Sequence, residues 1–105
     1  MQKEAQGTAS EIEKIGRKSQ AVEVDVRIRD EVEKMVASHV ENIGPLFTMV
    51  ANAGICQVKP ALEVTEDDMR RMFEVNVFGV FNCYQVAAKQ MIRQGTQGRL
   101  IGCSR

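Results

Sequence analysis

A nearly continuous apolar run, Leu46 to Ala51, is followed directly by the small-residue turn Asn52-Ala53-Gly54. Pro45 precedes the run, so residues that stop regular structure bound it on both sides. A short strand that is apolar at nearly every position is typical of a parallel sheet covered on both faces. Ligands of such open sheets bind beyond the carboxyl ends of the strands. The run therefore predicts an α/β fold with a ligand site near Asn52.

Helical and extended patterns alternate along the rest of the chain. Apolar and acidic side chains alternate over residues 21–26, which predicts a strand. Apolar residues at three- and four-residue spacing predict a helix from Asp30 to about Asn42. Residues 94–98 have the composition of a turn, and residues 99–103 begin one more extended segment. Strands separated by helices in this way predict a parallel sheet with right-handed crossovers.

The N-terminal residues predict only a brief helix. Residues 11–15 are mostly polar, and either Thr8 or Ser10 can cap them at the N-terminal side. Gly16 supplies the positive φ that ends such a helix.

A much longer helix is predicted from residue 67 to about Arg93. Thr65-Glu66-Asp67-Asp68 is a capping box with Asp in place of the usual Glu or Gln at its fourth position. Residues 75–92 are apolar on nearly every side of this helix. One sheet face cannot cover such a helix, so we expect a second apolar surface against it, such as a partner subunit. Charge introduced at Val80 or Ala87 is expected to disrupt that contact.

Composition excludes several classes of function. The chain has 105 residues, 44% of them apolar and 27% charged, which is enough for one domain. Fourteen basic residues balance fourteen acidic ones, so we expect no nucleic-acid partner. The apolar runs are far shorter than the roughly 20 residues of a spanning helix, and the first ten residues are polar. We therefore expect no membrane association and a cytoplasmic location.

The cysteines indicate free thiols rather than a metal site. Cys56, Cys83 and Cys103 are odd in number and widely spaced, and the chain has a single histidine, His39. We expect reduced intracellular thiols, no bound metal, and a partly buried or surface position for His39.

The order of four motifs resembles that of the short-chain dehydrogenase/reductase family. The motifs are Val24-Asp25-Val26, Ala51-Asn52-Ala53-Gly54, Asn76-Val77-Phe78-Gly79 and Gly98-Arg99-Leu100-Ile101. A finer likeness, to fungal diacetyl or acetoin reductases, comes from residues 53–56 and 71–76. The resemblance covers about residues 8–104 and implies an NAD- or NADP-dependent oxidoreductase that interconverts alcohols and carbonyls. Its partners would be a small carbonyl or alcohol substrate and, through the helix over residues 67–93, further copies in a homo-oligomer.

The resemblance also implies the architecture of the sheet. The family's strand order is 3-2-1-4-5, and the strands at residues 21–26, 46–51 and 99–103 correspond to the third, fourth and fifth. At about 4.8 Å between neighbours, a gap of roughly 14 Å separates the third strand from the fourth. We therefore expect residues 1–105 to be an incomplete NAD(P)-binding, Rossmann-like domain. It would be a partial doubly wound parallel sheet that lacks the first two strands and the C-terminal part.

Particular site residues follow from the matching positions. Asp25 would accept a hydrogen bond from the adenine amine, and Val26 would supply a backbone amide. Asn52, Ala53 and Gly54 would form the turn that lets the backbone approach the cofactor ribose, with Ala51 at a position where the family usually has a second asparagine.

Two further positions would belong to the catalytic set. Asn76 would hold a water through a main-chain carbonyl within the long helix. The family's substrate-polarising serine falls at Arg105, and Ser104, one residue earlier, is the candidate in this chain.

Two diagnostic motifs of the family do not occur in the sequence. There is no T-G-x-x-x-G-x-G loop to hold the cofactor phosphates, and the single tyrosine, Tyr84, is followed four positions later by Ala88 rather than lysine. We therefore expect a fragment that is inactive alone. The alternative is a non-catalytic module that associates with a full-length relative through its long helix.

Overall fold

A computed structural model describes residues 2–104 of the chain. Two helices precede the first strand, and one long, interrupted helix connects it to the second. In chain order the elements are α1 Gln2–Lys14, α2 Arg29–Asn42, β1 Thr48–Ala51, a 3₁₀ turn Ala61–Glu63, α3 Glu66–Phe73, a π-helical segment Glu74–Gly79, α4 Val80–Gln94 and β2 Arg99–Gly102.

The sheet consists of β1 and β2, which pair in parallel with Thr48 opposite Arg99 and Ala51 opposite Gly102. Met49 and Ala51 are buried on the face that α4 covers, whereas Val50 is 51% exposed on the other face. The prediction that β1 is covered on both faces was therefore wrong. Its apolar residues suit a strand buried on both sides, but in the described residues a helix lies against only one.

The core forms where α2 and α4 pack on each other and α4 packs on the sheet. Each element contributes apolar side chains at the spacing that its own geometry requires. The buried cluster consists of Val32, Val36, Leu46, Met49, Ala51, Cys83, Val86, Ala87 and Met91.

Residues 21–26 do not form a strand in this structure. A strand needs a neighbour for its backbone hydrogen bonds, and in the described residues β1 pairs only with β2. A cavity of about 220 Å³, lined by Val26 on one side and by Met49 to Ala51 on another, separates this segment from β1. The alternating sequence pattern is present, but within residues 2–104 no strand lies beside residues 21–26 to pair with them.

The first helix is longer than its pattern predicted. It begins at Gln2 rather than near Glu11, and Thr8 lies inside it, where its hydroxyl donates to the Glu4 carbonyl at 3.2 Å. The residues before Thr8 are mostly good helix formers, which is why the helix extends towards the N-terminus. Its predicted end is confirmed, because Gly16 has a φ of 92°.

The long helix is confirmed, with an interruption at its middle. The capping box forms as predicted: Thr65 Oγ1 accepts from the Asp68 amide, and Asp68 Oδ2 accepts from the Thr65 amide. Between α3 and α4, residues Glu74–Gly79 adopt a π-helix, whose turns hold more residues than an α-turn. Asn76 lies within this π-helical segment.

Candidate functional site

A cavity of about 410 Å³ lies at the carboxyl ends of β1 and β2. The turn Asn52 to Gly54 lines it from β1, Ser104 from the end of β2, and Asn76 from the π-helical segment. The structure thus brings together five of the residues that the sequence singled out. The remaining lining residues are Ile55, Cys56, Met72, Val80 and Cys103.

Asn76 fixes the start of the loop that follows the turn. Its Oδ1 accepts from the Ile55 amide and its Nδ2 donates to the Ile55 carbonyl, both at 2.9 Å. A Cβ atom at Gly54 would lie 3.2 Å from Asn76 Oδ1, closer than ordinary van der Waals contact. The glycine therefore lets the turn pass close to the asparagine.

Ser104 is exposed at the cavity, two residues beyond the last residue of β2. Its neighbour Cys103 continues the strand pairing by donating its amide to the Ala51 carbonyl at 3.1 Å. Arg105, which occupies the family's usual serine position, lies outside the described residues.

Asp25 does not line this cavity. Arg27 donates its backbone amide to Asp25 Oδ1 at 3.0 Å, and the two side chains form an ion pair with a shortest distance of 2.7 Å. These hydrogen bonds from Arg27 hold the pKa of the Asp25 carboxyl below its usual range. The carboxylate is thus ionised at neutral pH, and Arg27 occupies much of its accepting capacity.

Val26 lies beside the candidate turn without sharing the larger cavity. It lines the neighbouring cavity of about 220 Å³, and so do Asn52 and Ala53. The turn after β1 therefore borders both cavities, with Val26 facing one and Asn76 the other.

Two residues position Val26: Asn82, which the sequence analysis missed, and Gly79, whose contact with Val26 it did not predict. Asn82 donates its Nδ2 to the Val26 carbonyl at 3.0 Å. A Cβ atom at Gly79 would lie 2.5 Å from Val26 Cγ2, so a glycine is needed where the helix passes this segment. The signal for Asn82 was available, because a polar amide within an otherwise apolar stretch of helix requires a partner.

Residues 1–104 match the sequence model of a protein family that is described as short chain dehydrogenase. The chain belongs to the short-chain dehydrogenase family. Among its relatives, a short-chain dehydrogenase/reductase from Armillaria gallica is 46% identical over 94 residues, covering 89% of this chain and 36% of that protein. A diacetyl reductase of the (S)-acetoin-forming kind from Staphylococcus epidermidis is 38% identical over 98 residues, covering 92% of this chain and 38% of that protein.

Solved structures agree with this membership. The crystal structure of a short-chain type dehydrogenase/reductase from Mycobacterium marinum matches with a TM-score of 0.90 at 32% identity, covering 97% of this chain and 40% of that one. The predicted family and the partial Rossmann-like fold are confirmed. The chain spans about two fifths of the length of the short-chain dehydrogenases that it matches.

Short-chain dehydrogenases use NAD or NADP, and the residues present fit part of such a cofactor. Ala53 and Gly54 are small residues beside open space at the strand ends, which suits a close approach by a ribose. Val26 forms a second wall across the smaller cavity. Within residues 2–104 there is no glycine-rich loop opening a helix to receive the phosphates. The fit therefore extends to the nucleoside parts of the cofactor only.

None of the helices within residues 2–104 combines the length and the apolar character that crossing a membrane requires.

Proposed function

We propose that this chain is the central part of an NAD(P)-dependent oxidoreductase that interconverts alcohol and carbonyl groups of small substrates. The observation that carries the proposal is the cavity that gathers Asn52 to Gly54, Asn76 and Ser104 at one edge of a parallel sheet. Ligand sites of open α/β sheets lie at this edge. When bound, the nicotinamide cofactor supplies or accepts the hydride.

Each predicted site residue has a proposed role. Val26 supplies a backbone amide to the adenine, and Asp25 accepts from its amine once it turns part of its carboxylate from Arg27 to the ligand. The turn at residues 52–54 lies against the ribose. Ser104 donates its hydroxyl to the substrate oxygen and so polarises the carbonyl.

The geometry supports a second role for Asn76, which is to hold the loop that begins at Ile55. Both polar groups of its side chain are engaged by the Ile55 backbone. We assign the water to its main-chain carbonyl, as the resemblance implies, because this group lies inside the π-helical segment where the regular α-helical hydrogen bonding changes. Asn76 would thus both fix the loop and orient a water.

We further propose that the 105 residues alone do not catalyse the reaction. The sequence holds no tyrosine–lysine pair, and a general acid of that kind commonly contributes 10²–10⁴-fold to a rate. It also holds no phosphate loop to orient the cofactor against the substrate. Oxidation of NADH or NADPH with acetoin or diacetyl should equal the no-protein control, and turnover clearly above it would overturn this part of the proposal.

Cofactor binding by the residues present can be tested without catalysis. In a titration of the isotope-labelled chain with NAD⁺, NADP⁺ or AMP, amide resonances of Val26, Ala53 and Gly54 should shift at millimolar concentration. Gly7 and Gly95, in α1 and at the end of α4, serve as internal controls and should not move. Nicotinamide mononucleotide, which lacks the adenosine half, is compared with AMP to show which end of the cofactor binds at these residues. Absence of shifts at residues 26 and 53–54 would contradict the binding roles.

A second candidate function, association with another subunit through the long helix, has one observation in its favour. Four large apolar residues there are about half exposed: Phe73, Val77, Phe78 and Phe81 at 50%, 49%, 60% and 55%. In this proposal they form the contact with a second copy or with a full-length relative.

Val80 and Ala87 are unsuitable positions at which to test this contact by introducing charge. Ala87 is completely buried and Val80 is half-buried in the protein's own core, so charge at either would disturb folding. Phe78→Glu or Phe81→Glu is the appropriate variant, with exposed Ile92→Glu as the matched control on α4. Light scattering should show a dimer or larger assembly that Phe78→Glu dissociates. A monomer at all concentrations, without co-purifying relatives, would contradict this proposal.

A further inference from the structure

Apolar packing does not hold the loop after the candidate turn. No side chain between Ile55 and Pro60 is buried, and Val58 is 95% exposed. Yet Ile55 and Cys56, at the beginning of this loop, form part of the wall of the larger cavity. The position of that wall must therefore depend on the polar contacts of the loop.

Those contacts lie at both ends of the loop. At the near end, the Asn76 side chain binds the backbone of Ile55 at 2.9 Å. At the far end, Lys59 Nζ donates to Asp68 Oδ2 at 2.7 Å. Between them, Arg71 Nη2 lies 3.5 Å from Gln57 Oε1 and 3.3 Å from Asp68 Oδ1. The contacts of Ile55, Gln57 and Lys59 reach from the loop to the helix formed by α3 and the π-helical segment, whereas the Arg71–Asp68 contact lies within α3.

Asp68 is buried, which is unusual for a carboxylate. It is 6% exposed, and it is the one buried charged residue within the part of the chain that the structure describes. Its Oδ2 accepts from Lys59 and also from the Thr65 amide at 3.0 Å, which is the capping box at the start of α3. The hydrogen bond from Lys59, followed by that from Thr65, holds the pKa of Asp68 far below its usual range.

The same carboxylate therefore caps α3 and binds the loop. Asp68 lies in the first turn of α3 and its carboxylate accepts from the Thr65 amide, so it is a rigid point of attachment. Lys59 is 34% exposed at its side chain, and its flexible stem places one compact charge against that point. A charge-assisted hydrogen bond of this length is stronger than a neutral one.

We propose that Asp68 is a positioning residue for the candidate site. By binding Lys59 it fixes the far end of the loop whose near end Asn76 holds, and so it sets the place of the wall formed by Ile55 and Cys56. What the pocket binds rests on the proposed function, whereas the attachment of the loop does not. Lys59, rather than Asp68, is the residue to change first, because its removal leaves the capping box intact.

The experiment compares amide hydrogen exchange in the 105-residue chain with three variants. Lys59→Met removes the ion pair, Lys59→Arg restores a cation, and Glu66→Gln removes the exposed Arg70–Glu66 pair from the same helix without touching the loop. The reporter is the Ile55 amide, which donates to Asn76. The Arg99 amide, which donates to Phe47 in the sheet, is the reference.

In Lys59→Met, exchange at Ile55 should accelerate about fivefold or more. The variant lacks one charged hydrogen bond, so the free energy of local opening of the loop is lower. Exchange at Arg99 should not change. Lys59→Arg should return most of the protection, and Glu66→Gln should behave as the unaltered chain. A second readout is alkylation by iodoacetamide, where Cys56 should react faster relative to Cys103 in Lys59→Met only.

Two outcomes would overturn the proposal. One is unchanged exchange at Ile55 in Lys59→Met while the Asp68 amide still shows an intact capping box. The other is equal acceleration at Ile55 and Arg99, which would mean a general loss of stability rather than release of the loop. Neither readout depends on cofactor or turnover, so failure here is distinguishable from failure of the proposed oxidoreductase function.

Discussion

The side-chain amide of Asn76 forms two hydrogen bonds of 2.9 Å with the backbone of Ile55, as a neighbouring strand would. Asn76→Ala removes both, and we expect it to lower the free energy of unfolding by about 1 kcal/mol. Asn76→Asp should cost more, because a carboxylate oxygen would then face the Ile55 carbonyl oxygen. Urea denaturation of both variants, with exposed Gln97→Ala as the control, measures the difference. Equal stability of Asn76→Ala and the unaltered chain would contradict the structural role.

Gly79 and Gly7 should respond in opposite directions to the same substitution. A Cβ at Gly79 would lie 2.5 Å from Val26 Cγ2, whereas nothing lies within 4 Å of a Cβ at Gly7 in α1. Gly79→Ala should lower the free energy of unfolding by about 1–3 kcal/mol through overpacking. Gly7→Ala should raise it by up to roughly 1 kcal/mol, because alanine favours the helix. Thermal denaturation of the two variants tests this, and a stabilising Gly79→Ala would show that the helix does not pass Val26 so closely.

The contribution of Asp68 to stability should depend on pH in the acid range. Its pKa in the folded chain is lowered by Lys59 and Thr65, so the unfolded chain takes up the proton more readily. The stabilisation is therefore fully present above the ordinary carboxyl pKa of about 3.9 and is lost as the pH falls below it. Asp68→Asn should lower Tm by several degrees at pH 7 and by much less near pH 2.5. A difference that stayed constant with pH would contradict the ionised state of Asp68.

The cysteines should differ in reactivity in a way that reports the fold. Cys83 is 4% exposed within the core, and burial raises the pKa of its thiol. Cys56 and Cys103 are exposed at the candidate site. Brief alkylation at pH 8 followed by mass spectrometry should modify the two exposed thiols and leave Cys83 unmodified until denaturant is added. Rapid labelling of Cys83 in the native chain would show that α4 does not pack as described.

Local signals in the sequence predicted much of this fold. The Thr65–Asp68 capping box, the helix ending near Asn42 and the glycine with positive φ at position 16 depend on residues close together in the chain. Their interactions form wherever the segment forms, so the pattern suffices. The turn after β1 and the edge of the sheet at which it lies followed from the order of the strands.

The failures concern long-range partners. Residues 21–26 have the pattern of a strand, but a pattern cannot supply the neighbour that a strand needs. The Asn82 side chain donates to the Val26 carbonyl, 56 positions away in the chain, and Lys59 binds Asp68 only once the loop folds back against α3. The ion pair of Asp25 with Arg27 joins residues only two positions apart, so the sequence could have indicated it.

The sheet described here ends at β1 on one side, and within residues 2–104 no strand binds that edge. Such an edge presents a row of amide and carbonyl groups beside the exposed apolar side chain of Val50. We therefore expect association between molecules at this edge to limit the solubility of the chain. Strands of other molecules can add to the open edge, and the net charge of zero gives little repulsion against this.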